Sequence, residues 1–125
     1  MNNLQRDIRI TISELCASFE RQFALYIELR DSVRSNFSKL ILSRGDPGVL
    51  MAGVDKKMQL LEKIDRERAG AAGSIEHWQE YRKNSANDGE SAVLNDILTR
   101  TEAVIKEFLA EEEKLKQYVE KIYKK

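Results

Sequence analysis

A single proline and a single cysteine in 125 residues narrow the architecture at the outset. Proline breaks helices, and with only Pro47 present long stretches of chain are free to stay helical. With one cysteine, Cys16, no intramolecular disulfide can form, and the count fits a reducing cytoplasm. One histidine, His77, cannot supply the two Glu-x-x-His pairs of a helical di-metal site. Charge of one sign is also missing: 21 basic and 21 acidic residues give a net charge of zero. A nucleic-acid partner would call for a basic stripe, so none is expected. No apolar run approaches the roughly 20 residues of a membrane span. The opening MNNLQRDIRI has no apolar core of signal-peptide length. The expectation is a cytoplasmic protein with no membrane insertion.

What is present is helix. Charged residues make up 34% and hydrophobic residues 42% of the chain, as in long helices and coiled coils. Over 3–44, Ile8, Ile12, Leu15, Phe19, Tyr26, Leu29, Val33 and Leu40 alternate at three and four residues, with Gln22 and Asn36 in polar slots. That spacing predicts one amphipathic helix. SRGDPG then offers Gly45 as a left-handed stop, Asp46 as a cap and Pro47 as the first residue of a second helix over 47–84. Leu50, Val54, Met58, Leu61, Ile64, Ala71, Ile75 and Trp78 are its expected inner face. NSANDGE separates it from a third helix over 88–124, with Asn87 and Glu90 as a reciprocal cap. There the seam is Leu94, Leu98, Thr101, Ile105, Phe108, Glu112, Leu115, Val119 and Ile122. Alternating strand patterns are missing. Short turns between helices of similar length predict an all-α fold, an elongated antiparallel three-helix bundle or coiled coil, as one domain over 1–125.

RERAGAAGS, residues 66–74, interrupts the second helix with small residues. Each glycine costs about 1 kcal/mol against alanine in a helix interior. Counting back from the first turn sets Gly70 and Gly73 opposite Phe19 and Phe23. Small facing large fills a core without strain, so packing is the expected role, with a hinge as the alternative. A phosphate cradle is not expected, because no strand precedes the run and no P-loop lysine follows it.

No residue set points to catalysis, and an enzyme is not expected. Cys16 sits mid-helix beside the apolar seam and reads as a small buried hydrophobe. Antiparallel counting brings it within about a turn of Ile75, near His77, but further ligands for a tetrahedral site are missing, so no metal or cofactor is expected. Glu111, Glu112 and Glu113 fan over some 200° of a helix and read as a solvated face. More informative is surplus apolar surface. Val93, Ile97, Val104, Leu109, Tyr118 and Tyr123 flank the third seam, and Leu25, Ile27, Ile41 and Leu42 the first. Either a slim bundle needs stripes this wide, or a groove accepts a partner helix, from a second copy or from another chain.

VLMAGVDKKMQLLEKIDRER, residues 49–68, resembles the central region of FlgN-like flagellar chaperones. That family shows a leucine-spaced helix with a lysine, a Leu-Leu pair and then an arginine, and here Lys57, Leu60, Leu61 and Arg68 take those places. FliT-like export chaperones are a near neighbour by the same pattern. AGAAGS departs from the bulky or acidic residues that family members often carry after the arginine. The resemblance implies a cytosolic chaperone that binds helical termini of hook-filament junction proteins. It would deliver that cargo to the flagellar type III export apparatus. It also implies that the C-terminal helix carries the cargo site, with Val104, Phe108, Leu109, Leu115, Tyr118, Val119, Ile122 and Tyr123 as the matching residues. The alternative is a self-associating coiled-coil structural or adaptor protein, acting as a homodimer with no export role.

Overall fold

The computed structural model describes residues 2–84 and 89–123. Three helices account for nearly all of them: α1 (Asn2–Leu42), α2 (Pro47–Asn84) and α3 (Gly89–Tyr123). Among the described residues there is no strand. The all-α three-helix architecture and its boundaries agree with the spacing, to within two residues at each described end. The Asn87 and Glu90 cap lies outside the described residues and side chains.

The first turn works as its residues dictate. Gly45 has φ 88° and its amide donates to the Leu40 carbonyl at 2.9 Å. Arg44 also enters the left-handed region, at φ 57°, which only the three-dimensional path reveals. Asp46 caps α2 by accepting from the Gly48 amide at 2.9 Å. The Asp46 amide in turn donates to Ser43 Oγ at 3.1 Å.

α1 is the central helix. α2 runs antiparallel to it and α3 parallel, as Thr11–His77, Arg21–Glu67 and Arg30–Glu107 contacts show. Cα atoms of α1 come within 8 Å of both partners, whereas α2 and α3 do not approach each other that closely among the described residues. The α2–α3 side is therefore the widest of the three, and it is bridged by side chains: Lys57 of α2 reaches Glu112 of α3, and both core clusters draw on both helices.

Two clusters form the core. The first joins Ile8, Ile12, Leu15 and Phe19 of α1 to Ala71 and Trp78 of α2 and Leu94 and Ile97 of α3, with Cys16 packed against it. The second joins Leu29 and Val33 to Leu60, Ile64 and Phe108. Burying a leucine or isoleucine contributes about 1.5–3 kcal/mol, so these residues dominate the stability of the fold.

Three expectations need correction. In α2, Leu60 is fully buried, whereas Met58 is 54% exposed, so the inner face is rotated from the Met58–Leu61 frame. In α3, Ile97 and Val104 are core and Leu98 lies at the edge. Gly70 and Gly73 do not pack against Phe19 and Phe23: both are exposed, and a Cβ added at either meets nothing within 4 Å. Ala71 is the small residue of this run that joins Phe19 in the first core cluster. α2 stays helical through the run. The close approach lies instead at Gly53, where an added Cβ would collide with the Asn36 side chain.

Candidate partner-binding site

The eight α3 residues singled out above divide by burial. Val104 and Phe108 are buried in the bundle. Leu115 is half-buried against the second core cluster. Val119 is half-buried. Tyr118 meets Phe37 edge-on, with ring centroids 5.7 Å apart. Ile122 packs under the first turn, its Cγ2 lying 3.0 Å from where a Gly45 Cβ would stand. The Tyr123 hydroxyl donates to the Gly45 carbonyl, although the rest of the side chain is 46% exposed. Leu109 is 55% exposed and makes no such commitment. Most of the set thus holds α3 to α1 and the turn, and Leu109 is the member left facing solvent.

The α2–α3 side of the bundle gathers further apolar surface. Lys57 Nζ and Glu112 Oε2 pair at 2.8 Å and mark the flanks by which α2 and α3 face each other. Residues three, four or seven positions from a reference share its helix face. From Glu112 that face runs through Leu109, Ile105 and Leu98; from Lys57 it runs through Leu50, Val54 and Leu61. Met51 and Met58 stand beside Val54 and Leu61 and are both more than half exposed. The result is an apolar seam between α2 and α3, crossed by one ion pair, with the two methionines on the outer face of α2 beside it. Methionines suit a surface that must adapt, because the side chain is unbranched and polarizable.

Sequence reasoning reached Leu98 and Leu109 but placed Met51 nowhere and Met58 in the core. The α2 frame was ambiguous because Leu60 and Leu61 are adjacent and Lys57 can extend over apolar surface.

Ion pairs also bridge α1 and α3. Arg30 Nη1 and Glu107 Oε1 are 3.0 Å apart, and Arg34 Nε donates to Glu111 Oε1 at 3.2 Å. Glu111 and Glu112 are therefore interhelical partners and only Glu113 fits the solvated face expected for all three. Hydrogen bonding to Asp31, and next to Glu107, raises the Arg30 pKa. On the α1–α2 side Arg21 donates to Glu67 at 2.8 Å, and that bond holds the Glu67 carboxyl below the usual glutamate range.

His77 is exposed at the rim, with Nδ1 3.0 Å from Thr11 Oγ1. Among the described residues no three His, Cys, Asp or Glu side chains are grouped to hold a metal ion. No described helix is long and apolar enough to cross a membrane. No family model, curated protein or solved structure matches the chain.

Proposed function

We propose that the chain is a binding protein that holds an amphipathic helix of a protein cargo along the α2–α3 side. The observation that carries this reading is the set of exposed apolar side chains, Leu98 and Leu109 on α3 with Met51 and Met58 on α2, beside the one helix pair that has no Cα atoms within 8 Å of each other among the described residues. An apolar strip flanked by polar residues is the surface that helix-in-groove recognition requires. The resemblance of residues 49–68 to FlgN-like chaperones supplies the cargo class: helical termini of hook-filament junction proteins, kept from premature assembly and handed to the export apparatus. Within the C-terminal helix, Leu109 is the contact residue, and Val104 and Phe108 support it from the core.

Calorimetric titration of the purified chain with C-terminal segments of hook-filament junction proteins tests this. Saturable binding that Leu109→Asp weakens, with helicity unchanged, is expected. Absence of binding to any such segment would remove the export assignment. Unchanged binding by Leu109→Asp and Met58→Asp would remove the α2–α3 face.

A further inference from the structure

Among the described residues four polar side chains are buried: Thr11, Ser18, Asn36 and Thr101. Three of them are satisfied. Thr11 meets His77, Ser18 accepts from Gln22, and Thr101 donates to the Ile97 carbonyl. Asn36 is 8% exposed, and among the described residues it has no hydrogen-bond partner. Its carboxamide lies against Gly53, where a Cβ would collide with it. No described side-chain nitrogen or oxygen is fully enclosed without a partner, so the Asn36 amide opens outward. It opens into a groove of about 510 Å³ lined by α1 and α2 alone, a size ordinary for a ligand cleft. A buried amide without a partner costs stability, and a ligand that pairs with it recovers that cost on binding.

The walls of the groove say what that ligand carries. Ser32, Ser35 and Lys39 follow one another along α1 at three and four residues, and among the described residues none of their side chains makes a hydrogen bond or ion pair. The acidic members of the lining are already engaged: Glu28 with Lys56 at 3.5 Å, and Asp31 with Arg30 at 3.0 Å. The Lys39 ammonium is therefore the charge in the lining left unmatched, and it calls for an anion. The Asn36 carboxamide presents a donor and an acceptor side by side, the same pair that a peptide unit offers. Lys39 stands three residues further along α1, roughly 4.5 Å in axial rise. An extended chain advances about 3.4 Å per residue, so a peptide unit on Asn36 sets a carboxylate one residue later beside Lys39. Ala52 and Gly53 keep the α2 wall low enough for main chain to approach.

We infer that the α1–α2 groove captures the carboxy-terminal end of a protein partner in extended form. The last peptide unit of that partner pairs with Asn36, its terminal carboxylate with Lys39, and its preceding residues run past Ser35 and Ser32. The groove uses no residue of the α2–α3 seam, so this inference does not rest on the helix-binding reading.

The test is a nuclear magnetic resonance titration of isotope-labelled protein with acetylated pentaalanine, once with a free carboxylate and once as the carboxamide, and with acetate alone. The free-carboxylate peptide shifts the Asn36 side-chain amide and the Gly53 backbone amide and saturates at a Kd on the order of 1 mM or below. The carboxamide peptide binds about tenfold or more weakly, because its charge-assisted bond is gone. Asn36→Ala and Lys39→Glu each weaken the free-carboxylate peptide about tenfold or more, and Lys63→Glu, outside the groove, leaves it unchanged. Circular dichroism confirms that the variants fold. Equal binding of the carboxylate and carboxamide forms would overturn the proposal. So would acetate that matches the peptide in affinity, which would reduce the groove to one anion-binding lysine. Undiminished binding by Asn36→Ala would show an amide that is merely hydrated, and would overturn it too. Absence of saturable shifts up to about 10 mM peptide would also overturn it. Each of these outcomes leaves the helix-binding function of the α2–α3 side standing.

Discussion

Alanine should act with opposite sign at glycines of the same helix. At Gly70 and Gly73 a new Cβ meets open space, so only helix propensity changes. Each substitution should stabilise the protein by about 1 kcal/mol. At Gly53 the same gain is set against a collision with the Asn36 side chain, which lies buried between α1 and α2. Overpacking of this kind costs about 1–3 kcal/mol, so the net change is a loss of up to about 2 kcal/mol. An unfolding entropy of about 2.1 cal/mol/K per residue makes 1 kcal/mol equal to about 4 °C of Tm in a chain of 125 residues. Thermal unfolding followed by circular dichroism should therefore place Gly70→Ala with Gly73→Ala about 8 °C above the parent. Gly53→Ala should fall below the parent, by as much as about 8 °C. Truncating Asn36 to Ala should relieve the Gly53→Ala penalty, and this coupling ties the effect to that one contact. A rise in Tm for Gly53→Ala, or a fall for the Gly70 and Gly73 pair, would refute the reasoning.

Other expectations follow from burial and pairing. Leu60→Ala should cost about 2–5 kcal/mol, because the side chain is fully enclosed in the second core cluster, whereas Arg34→Ala, at an exposed pair with Glu111, should cost under about 1 kcal/mol; urea titration separates the two. Tyr123→Phe removes the donor to the Gly45 carbonyl, and hydrogen exchange should then quicken in the last turns of α3 with the rest of the bundle unchanged. Glu67 has a lowered pKa in the fold, so its contribution is present above the ordinary glutamate value near 4.3 and is lost as pH falls through the folded value. The acid limb of the stability curve should accordingly become shallower in Glu67→Gln, read by urea titration from about pH 6 downward.

Much of the fold was legible because α1 repeats its pattern almost throughout, with Tyr26 alone of its expected seam only half-buried. Ile8, Ile12, Leu15, Phe19, Leu29, Val33 and Leu40 are all buried, and SRGDPG turns where its glycine and proline require. α2 was harder to read. Adjacent leucines at 60 and 61 satisfy two frames equally, and only the position of α1 selects Leu60. The same ambiguity hid the exposed methionines, since Met58 looks like a core residue until α2 is rotated. Gly70 and Gly73 misled for a related reason: register fixed their height along the bundle, but the direction in which they face depends on that rotation. In α3 the wide apolar stripe was visible, but which edge turns inward depends on where α1 lies, and the Arg30–Glu107 and Arg34–Glu111 pairs mark that edge.

The central placement of α1 also sets an order of assembly. α1 and α2 are joined by a short turn and meet as neighbours in the chain, so their hairpin closes over small loops first. α3 must then return to α1 over separations such as the 77 residues between Arg30 and Glu107. A chain emerging from synthesis therefore presents a two-helix hairpin with the α3-binding side of α1 still bare. α3, made after that hairpin, completes the core on that side, and the α2–α3 seam comes into being only when it docks.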